Sequence, residues 1–196
     1  YKSSLVELFF INLKLMNTGN LLVATPSVIG DFNFHRSIIL LTNYQKSGSV
    51  GFILNKKLDY LLNDVMEGFD SEFPLYFGGP VEQDNLFYIH TLGDKISNSK
   101  LISDELYWNG DFSSIKNLLN KGKLNESNIR FFLGYSGWTE GQLEEEIRIK
   151  SWEPFEIKSA LELMKMPSSE MWRDCMSALG GDYLLWSNTP ENPGSN

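Results

Sequence analysis

Apolar positions along this chain change their spacing near the middle. Leu21 to Thr25, Ser37 to Thr42 and Val50 to Leu54 are short runs rich in Leu, Ile and Val, bounded by Gly, Pro, Asn and Ser. Runs of that length and composition predict β-strands. Leu61 to Met66 predicts a short helix, and Leu75 to Phe77 and Leu86 to Thr91 predict strands again, flanking Gly78-Gly79-Pro80. The glycine pair predicts a turn or a close approach of two backbones.

From residue 111 the spacing turns helical. Asp111 stands where an N-cap belongs, with Phe112, Ile115, Leu118 and Leu119 on one helical face and Gly122 as the stop. Ile129 to Leu133 predicts a buried strand that runs into Gly134-Tyr135-Ser136-Gly137-Trp138, which reads as a glycine-rich turn at a strand-to-helix junction. Thr139 and Gln142 form a capping-box pattern, predicting a helix with Leu143 and Ile147 inward and Glu140, Glu144, Glu145 and Glu146 mostly outward. Ser168 or Ser169 is expected to cap a last helix whose Met171, Trp172, Cys175, Met176 and Leu179 share a face, ended by Gly180-Gly181.

Length and composition narrow this to one folded unit. The 196 residues are 42% hydrophobic and 13% aromatic, enough for a single core and unlike disordered or disulfide-scaffold chains. Residues 1–18 read as an N-terminal extension, 19–186 as a single domain and 187–196 as a surface tail. The extension carries an apolar patch, Leu8 to Ile11, but Glu7 interrupts it and no small-residue cleavage site follows, so it does not read as a signal peptide. No apolar run approaches membrane-spanning length, and the expected compartment is the cytoplasm. The lone Cys175 is expected in the core. The net charge is −8, with 10 acids and 8 bases in residues 1–100 and 15 acids and 9 bases thereafter. That balance, with four arginines in all, argues against direct nucleic-acid binding.

Five segments in series, Gly19-Asn20-Leu21-Leu22-Val23-Ala24-Thr25-Pro26, Phe34-His35-Arg36-Ser37, Gly51-Phe52-Ile53-Leu54-Asn55-Lys56, Gly78-Gly79-Pro80-Val81 and Gly134-Tyr135-Ser136-Gly137-Trp138 with Gly141-Gln142-Leu143-Glu144, resemble the YqgE/AlgH family in order and spacing. The resemblance runs from about Gly19 to Trp152. It implies an α+β fold with a bent, barrel-like mixed sheet and helices packed outside, in a bacterial cytosolic protein. It implies no settled reaction, since the family consists mainly of uncharacterised proteins, some of which carry a transcription-regulator label. At Ser136, members commonly have alanine.

The chemistry on offer is sparse. Gly134-x-Ser136-Gly137-Trp138 lacks the last glycine of the G-x-S-x-G nucleophile elbow, and His35 and His90 do not fall in the order such a triad needs. His90, closing an alternating strand, reads as a hydrogen-bonded core residue. Gly78-Gly79-Pro80 matches no phosphate loop, and the histidines and Glu144-Glu145-Glu146 do not converge on a metal. Neither a metal nor a cofactor is expected, and catalysis is left open.

Arg36 and Asn55 stand out because they close apolar segments where a side chain emerges at a sheet edge. Their alternative is structural: Arg36 pairing with Glu144 or Glu146, and Asn55 capping a turn. Two readings follow. One is a regulatory or interaction module presenting Arg36, Gly79, Pro80 and the segment with Tyr135, Gly137, Trp138, Gln142 and Glu144 to a protein partner. The other places an anionic metabolite in a cleft near Arg36, Asn55 and the Gly134–Trp138 turn. The sequence leaves a homodimer open.

Overall fold

Strand β9 (Ile129–Thr139) is the axis about which the chain is arranged. Along one edge runs β6 (Val81–His90), antiparallel, with His90 opposite Ile129 and Val81 opposite Tyr135. The other edge is shared. β5 (Pro74–Phe77) pairs in parallel with Phe131 to Leu133, and β3 (Gly48–Ile53) pairs antiparallel with Ser136 to Thr139. Beyond β3 lie β2 (Ile38–Gln45), β1 (Leu21–Ala24) and β10 (Trp152–Phe155). Beyond β6 lie β8 (Leu106–Trp108) and β7 (Lys100–Ser103), while β4 (Lys57–Leu61) pairs with β5. This computed structural model describes residues 16–28, 30–67 and 71–189; residues 1–15 of the expected extension and 190–196 of the expected tail lie outside that set.

The strand path runs open from β10 to β7. Among the described residues those two edges do not pair, so the barrel-like closure implied by the family resemblance is not formed. The result is an open, mostly antiparallel sheet with one parallel pair. Six α-helices accompany it among the described residues: α1 (Leu62–Val65), α2 (Phe112–Asn120), α3 (Gln142–Arg148), α4 (Ala160–Lys165), α5 (Ser168–Leu179) and α6 (Tyr183–Ser187).

Both faces of the sheet are covered, which explains why β1 and the first half of β2 are apolar without alternation. Leu21, Val23, Ile38 and Leu40 face α4 and α5, sharing a core with Phe52, Phe132, Leu163, Met171, Trp172 and Met176. Leu22, Ala24, Ile39 and Leu41 face the other way, onto Trp138, Leu143, Ile147 and Trp152. A third cluster joins Leu62, Leu75, Tyr88, Ile115 and Phe131 beneath α1 and α2. Phe52 is fully buried and stacks on Phe132 at 5.1 Å between ring centroids; burying a side chain of that size contributes about 1.5–3 kcal/mol.

Several sequence expectations change here. Gly134 to Trp138 is not a turn but the second half of β9, because Ser136 and Trp138 alternate inward while Gly137 is exposed, and the backbone pairs with β3. α3 starts later than the Thr139 cap implies: Gln142 Oε1 accepts from Thr139 N at 3.0 Å, but Gly141, at φ +75°, occupies the N-cap position with no side-chain cap. α5 is preceded by Pro167 at its N-cap, so Ser168 and Ser169 are helical residues and not caps. Asp111 does cap α2, accepting from Ser114 N at 3.1 Å.

β5 and β6 both pair with Phe131 to Leu133, so they occupy opposite edges of β9 and the chain between them must pass over it. Gly78 and Gly79 make that crossing. A Cβ on Gly79, whose φ is +152°, would collide with the Tyr135 carbonyl; one on Gly134, at φ +70°, would collide with the Gly79 carbonyl oxygen and stand 2.8 Å from that of Val81. The two glycine motifs singled out in the sequence are therefore the two sides of one backbone crossing.

Candidate functional site

The first turn of α5 leaves its amides open. Pro167 has no side-chain acceptor to cap them, and the N–H groups of Ser168 and Ser169 precede the first intrahelical bond. These residues border a polar cleft of about 360 Å³ completed by Arg36, Asn55, Trp172 and Arg173, with Ser187 to Thr189 forming the far wall at the end of α6.

Arg36 reaches this cleft from an unusual backbone position. Its φ is +52°, a left-handed conformation that costs about 1–3 kcal/mol for a residue with a Cβ. Asn55 holds it there: Asn55 Nδ2 donates to the Arg36 carbonyl at 2.8 Å, and Asn55 Oδ1 accepts from Ile38 N at 2.8 Å. The Arg36 guanidinium lies 4.6 Å from the Trp172 ring centroid, and its Nη2 donates to the Thr189 carbonyl at 2.7 Å and hydroxyl at 3.0 Å. Asn55 thus clamps the loop entering β2 to the end of β3, and Arg36 is fixed against α5 and the end of α6. The pairing of Arg36 with Glu144 or Glu146 does not form.

Those two carboxylates are bound elsewhere, on the opposite face of the sheet. Glu146 Oε2 accepts from both indoles, Trp138 Nε1 at 2.8 Å and Trp152 Nε1 at 2.7 Å, while its Oε1 accepts from Gln142 Nε2 at 2.9 Å. Glu144 Oε1 accepts from the Tyr44 hydroxyl at 2.9 Å, and burial together with that carboxylate pushes the Tyr44 phenol up to about 12. Glu144 and Glu146 are not the outward face expected from periodicity. None of Tyr135, Gly137, Trp138, Gln142 and Glu144 lines the Arg36 cleft. Tyr135 packs edge-on against Phe87 with centroids 5.7 Å apart, Gly79 is buried at the crossing, and Pro80 is exposed beside it. The residues picked from the sequence therefore fall into separate groups, of which only Arg36 and Asn55 share a cleft.

Ser136, Cys175 and His90 are absorbed by the fold. Ser136 is fully buried and its hydroxyl donates to the Gly78 carbonyl at 3.1 Å, tying the crossing together. Cys175 is buried, and desolvation pushes its thiol up to about 12. His90 is fully buried and stacks on Tyr107; the network assigns Nε2–H to the Asn109 carbonyl at 3.0 Å and Nδ1 as acceptor from Leu92 N at 3.3 Å. Burial holds its pKa below the ordinary histidine value. Among the described residues, no three His, Cys, Asp or Glu side chains converge to hold a metal ion, and no helix is long and apolar enough to cross a membrane.

Sequence reasoning missed Ser168, Ser169 and Arg173 as neighbours of Arg36. The signal was Pro167, which leaves a helix start uncapped, followed by an arginine one turn further along the same face.

An open sheet of this topology, with a single parallel pair and helices on both faces, defines an α+β protein. Residues 21–184 match the AlgH-like family model, and the chain belongs to that family. Similar proteins include UPF0301 proteins of Parabacteroides distasonis, 41% identical over 89% of this chain and 89% of the relative, and of Cytophaga hutchinsonii, 42% identical over 91% and 98%. The solution structure of the AlgH protein from Pseudomonas aeruginosa shares the fold, with a TM-score of 0.68 at 24% identity over 89% of this chain and 95% of that one. A crystal structure of a protein from Corynebacterium diphtheriae gives 0.70 at 21% identity over 91% and 97%. The family is one of uncharacterised proteins, so function must be argued from the site.

Proposed function

We propose that this chain is a cytoplasmic regulatory binding module, a single domain over residues 19–186, whose ligand is a small anionic metabolite taken up in the Arg36 cleft. The observation that carries the reading is the meeting of Arg36, Arg173 and the uncapped start of α5 in one polar cleft of about 360 Å³, on a chain of net charge −8. Guanidinium groups and helix N-terminal amides both favour carboxylate and phosphate oxygens, and a cleft of this size suits a small molecule. Asn55 is the positioning residue, since it fixes the strained backbone from which Arg36 extends. Among the described residues, nothing that lines the cleft is a histidine, cysteine or carboxylate. That lining supports binding over turnover, because acid–base or nucleophilic catalysis needs such a group within reach.

A second reading, regulation through a protein partner, is supported by α6, where Leu184, Leu185 and Trp186 are 49%, 73% and 43% exposed next to the far wall of the cleft. Clustered exposed apolar side chains of this kind suit a protein contact. Direct DNA contact gains no support from an acidic chain.

A thermal-shift panel of organic acids, sugar phosphates, nucleotides and a DNA duplex separates these. A ligand at a hundred times its Kd adds about 2.7 kcal/mol, and each kcal/mol moves the midpoint about 2–4 °C in a chain of this size. The expected outcome is a rise with one class of anion that Arg173→Ala abolishes. A flat panel, with a captured protein lost on Leu185→Ser, contradicts the ligand reading in favour of the partner.

A further inference from the structure

Across the α5 terminus from Arg36 lies a second cleft, of about 420 Å³, and Arg130 lines it. Arg130 belongs to β9 and is only 7% exposed. Its Nη1 donates to the Leu54 carbonyl at 3.1 Å, its Nη2 to the Met164 carbonyl at 3.4 Å, and the guanidinium sits 4.9 Å from the Tyr76 ring centroid. Among the described residues no carboxylate lies within ion-pair distance of it. A buried guanidinium held by carbonyl dipoles, with its nearest carboxylate, Glu126, acting only from beyond ion-pair distance, is incompletely compensated, and it stands at the wall of a cleft large enough for a metabolite.

The other walls add donors that favour the same anion. Lys57 approaches from β4, and Ser168 and Ser169 from the first turn of α5, whose amides are uncapped. Of the four arginines in the chain, Arg36, Arg130 and Arg173 all flank this one helix start, Arg173 also standing 3.8 Å from Glu170 in an exposed pair; Arg148 lies elsewhere, in an exposed pair with Glu145. One opposing charge, Glu126, also lines the cleft.

We propose that this cleft is a phosphate site, in which Arg130 supplies the buried counter-charge to the phosphoryl group of a small phosphorylated molecule. Donors enter from three elements, β9, β4 and the α5 terminus. A tetrahedral oxyanion offers acceptors in that many directions, whereas a planar carboxylate is satisfied by one fork. The site stands apart from the Arg36 cleft, with which it shares only Ser168 and Ser169.

The test is a calorimetric titration of the full chain with inorganic phosphate, against chloride at matched ionic strength. Saturable binding is expected. Arg130→Gln, which keeps a donor for the Leu54 carbonyl, should weaken it at least about tenfold and Lys57→Ala at least about threefold, as loss of a charged donor requires. Glu126→Gln should tighten it, and Arg173→Ala should leave it within about twofold, as expected of a charge beyond the direct contacts. If Arg130→Gln does not fold, Lys57→Ala and Glu126→Gln, both at exposed positions, decide the matter. Absence of saturable heat overturns the proposal, as does a Kd unchanged by Lys57→Ala and Glu126→Gln. Binding lost only with Arg173→Ala also overturns it, and assigns the phosphate to the Arg36 cleft instead.

Discussion

Single side chains in this protein carry more structural duty than their positions in the sequence advertise. Glu146 receives two indole N–H groups and the Gln142 amide, so one carboxylate fastens α3 to both β9 and β10. Glu146→Ala would orphan two donors at the edge of a core, and we predict a loss of about 2–4 kcal/mol in urea unfolding. Glu146→Gln, which retains an acceptor, should lose clearly less. His90 sets a pH dependence. Its folded pKa is lowered by burial, so the unfolded chain takes up a proton first as pH falls below about 6.5. Stability from this residue is complete above that pH and declines below it; in His90→Gln the decline between pH 6.5 and 5 should be shallower. A slope identical to wild type would show that His90 is not held neutral. Cys175, with its thiol raised to about 12, should resist alkylation in the native state and react on unfolding.

The passage of Gly78-Gly79 over β9 is the feature that elements, not residues, explain. β5 and β6 can flank β9 only if the chain crosses it with no side chains between the backbones. Gly79→Ala should therefore cost about 3 kcal/mol or more, since backbone on both sides must move. Gly141→Ala, also at positive φ but with nothing within 4 Å, should cost only about 1 kcal/mol. Comparison of the two midpoints in chemical denaturation isolates the crossing from backbone preference.

At this scale the sequence was informative where periodicity met a long apolar run. The strands at Leu21, Ile38 and Leu86 and the helices at Phe112 and Met171 were legible, because their apolar residues outnumber any competing pattern. β9 was legible only as far as Leu133. Its second half contains Gly134 and Gly137, whose turn chemistry masks an alternation completed by pairing with β3, a non-local contact. The hairpin of β7 and β8, and β4, β10 and α4, escaped for another reason: each is short, and its apolar positions become meaningful only against partners distant in sequence.

For the molecule as a whole, the arrangement of charge matters more than its sum. The net charge of −8 conceals a concentration of three arginines about the start of α5. Arg36 and Asn55 were recognisable in the sequence because polar residues closing apolar strands stand out. Arg130 and Arg173 were not, since one is hidden within a strand and the other looks like an ordinary exposed helix residue until α5 is placed across the sheet. The Tyr135–Glu144 segment drew attention for its glycines and acids, but Gly137 lies in the paired backbone of β9 and Glu144 is bound by Tyr44, away from the Arg36 cleft. Anion binding at this helix start should weaken with added salt, most steeply for contacts made by exposed Lys57 and Arg173 and less for buried Arg130.

The most direct measurement is a 1H–15N correlation spectrum of the full chain titrated with phosphate at constant ionic strength, following the amides of Ser168 and Ser169, which both clefts share. Saturable shifts centred on those two amides, unaccompanied by comparable shifts at Gly137 or Gln142 on the other face of the sheet, are what an anion-binding α5 terminus predicts. Amides that do not move, or small shifts spread evenly over the surface, would contradict it.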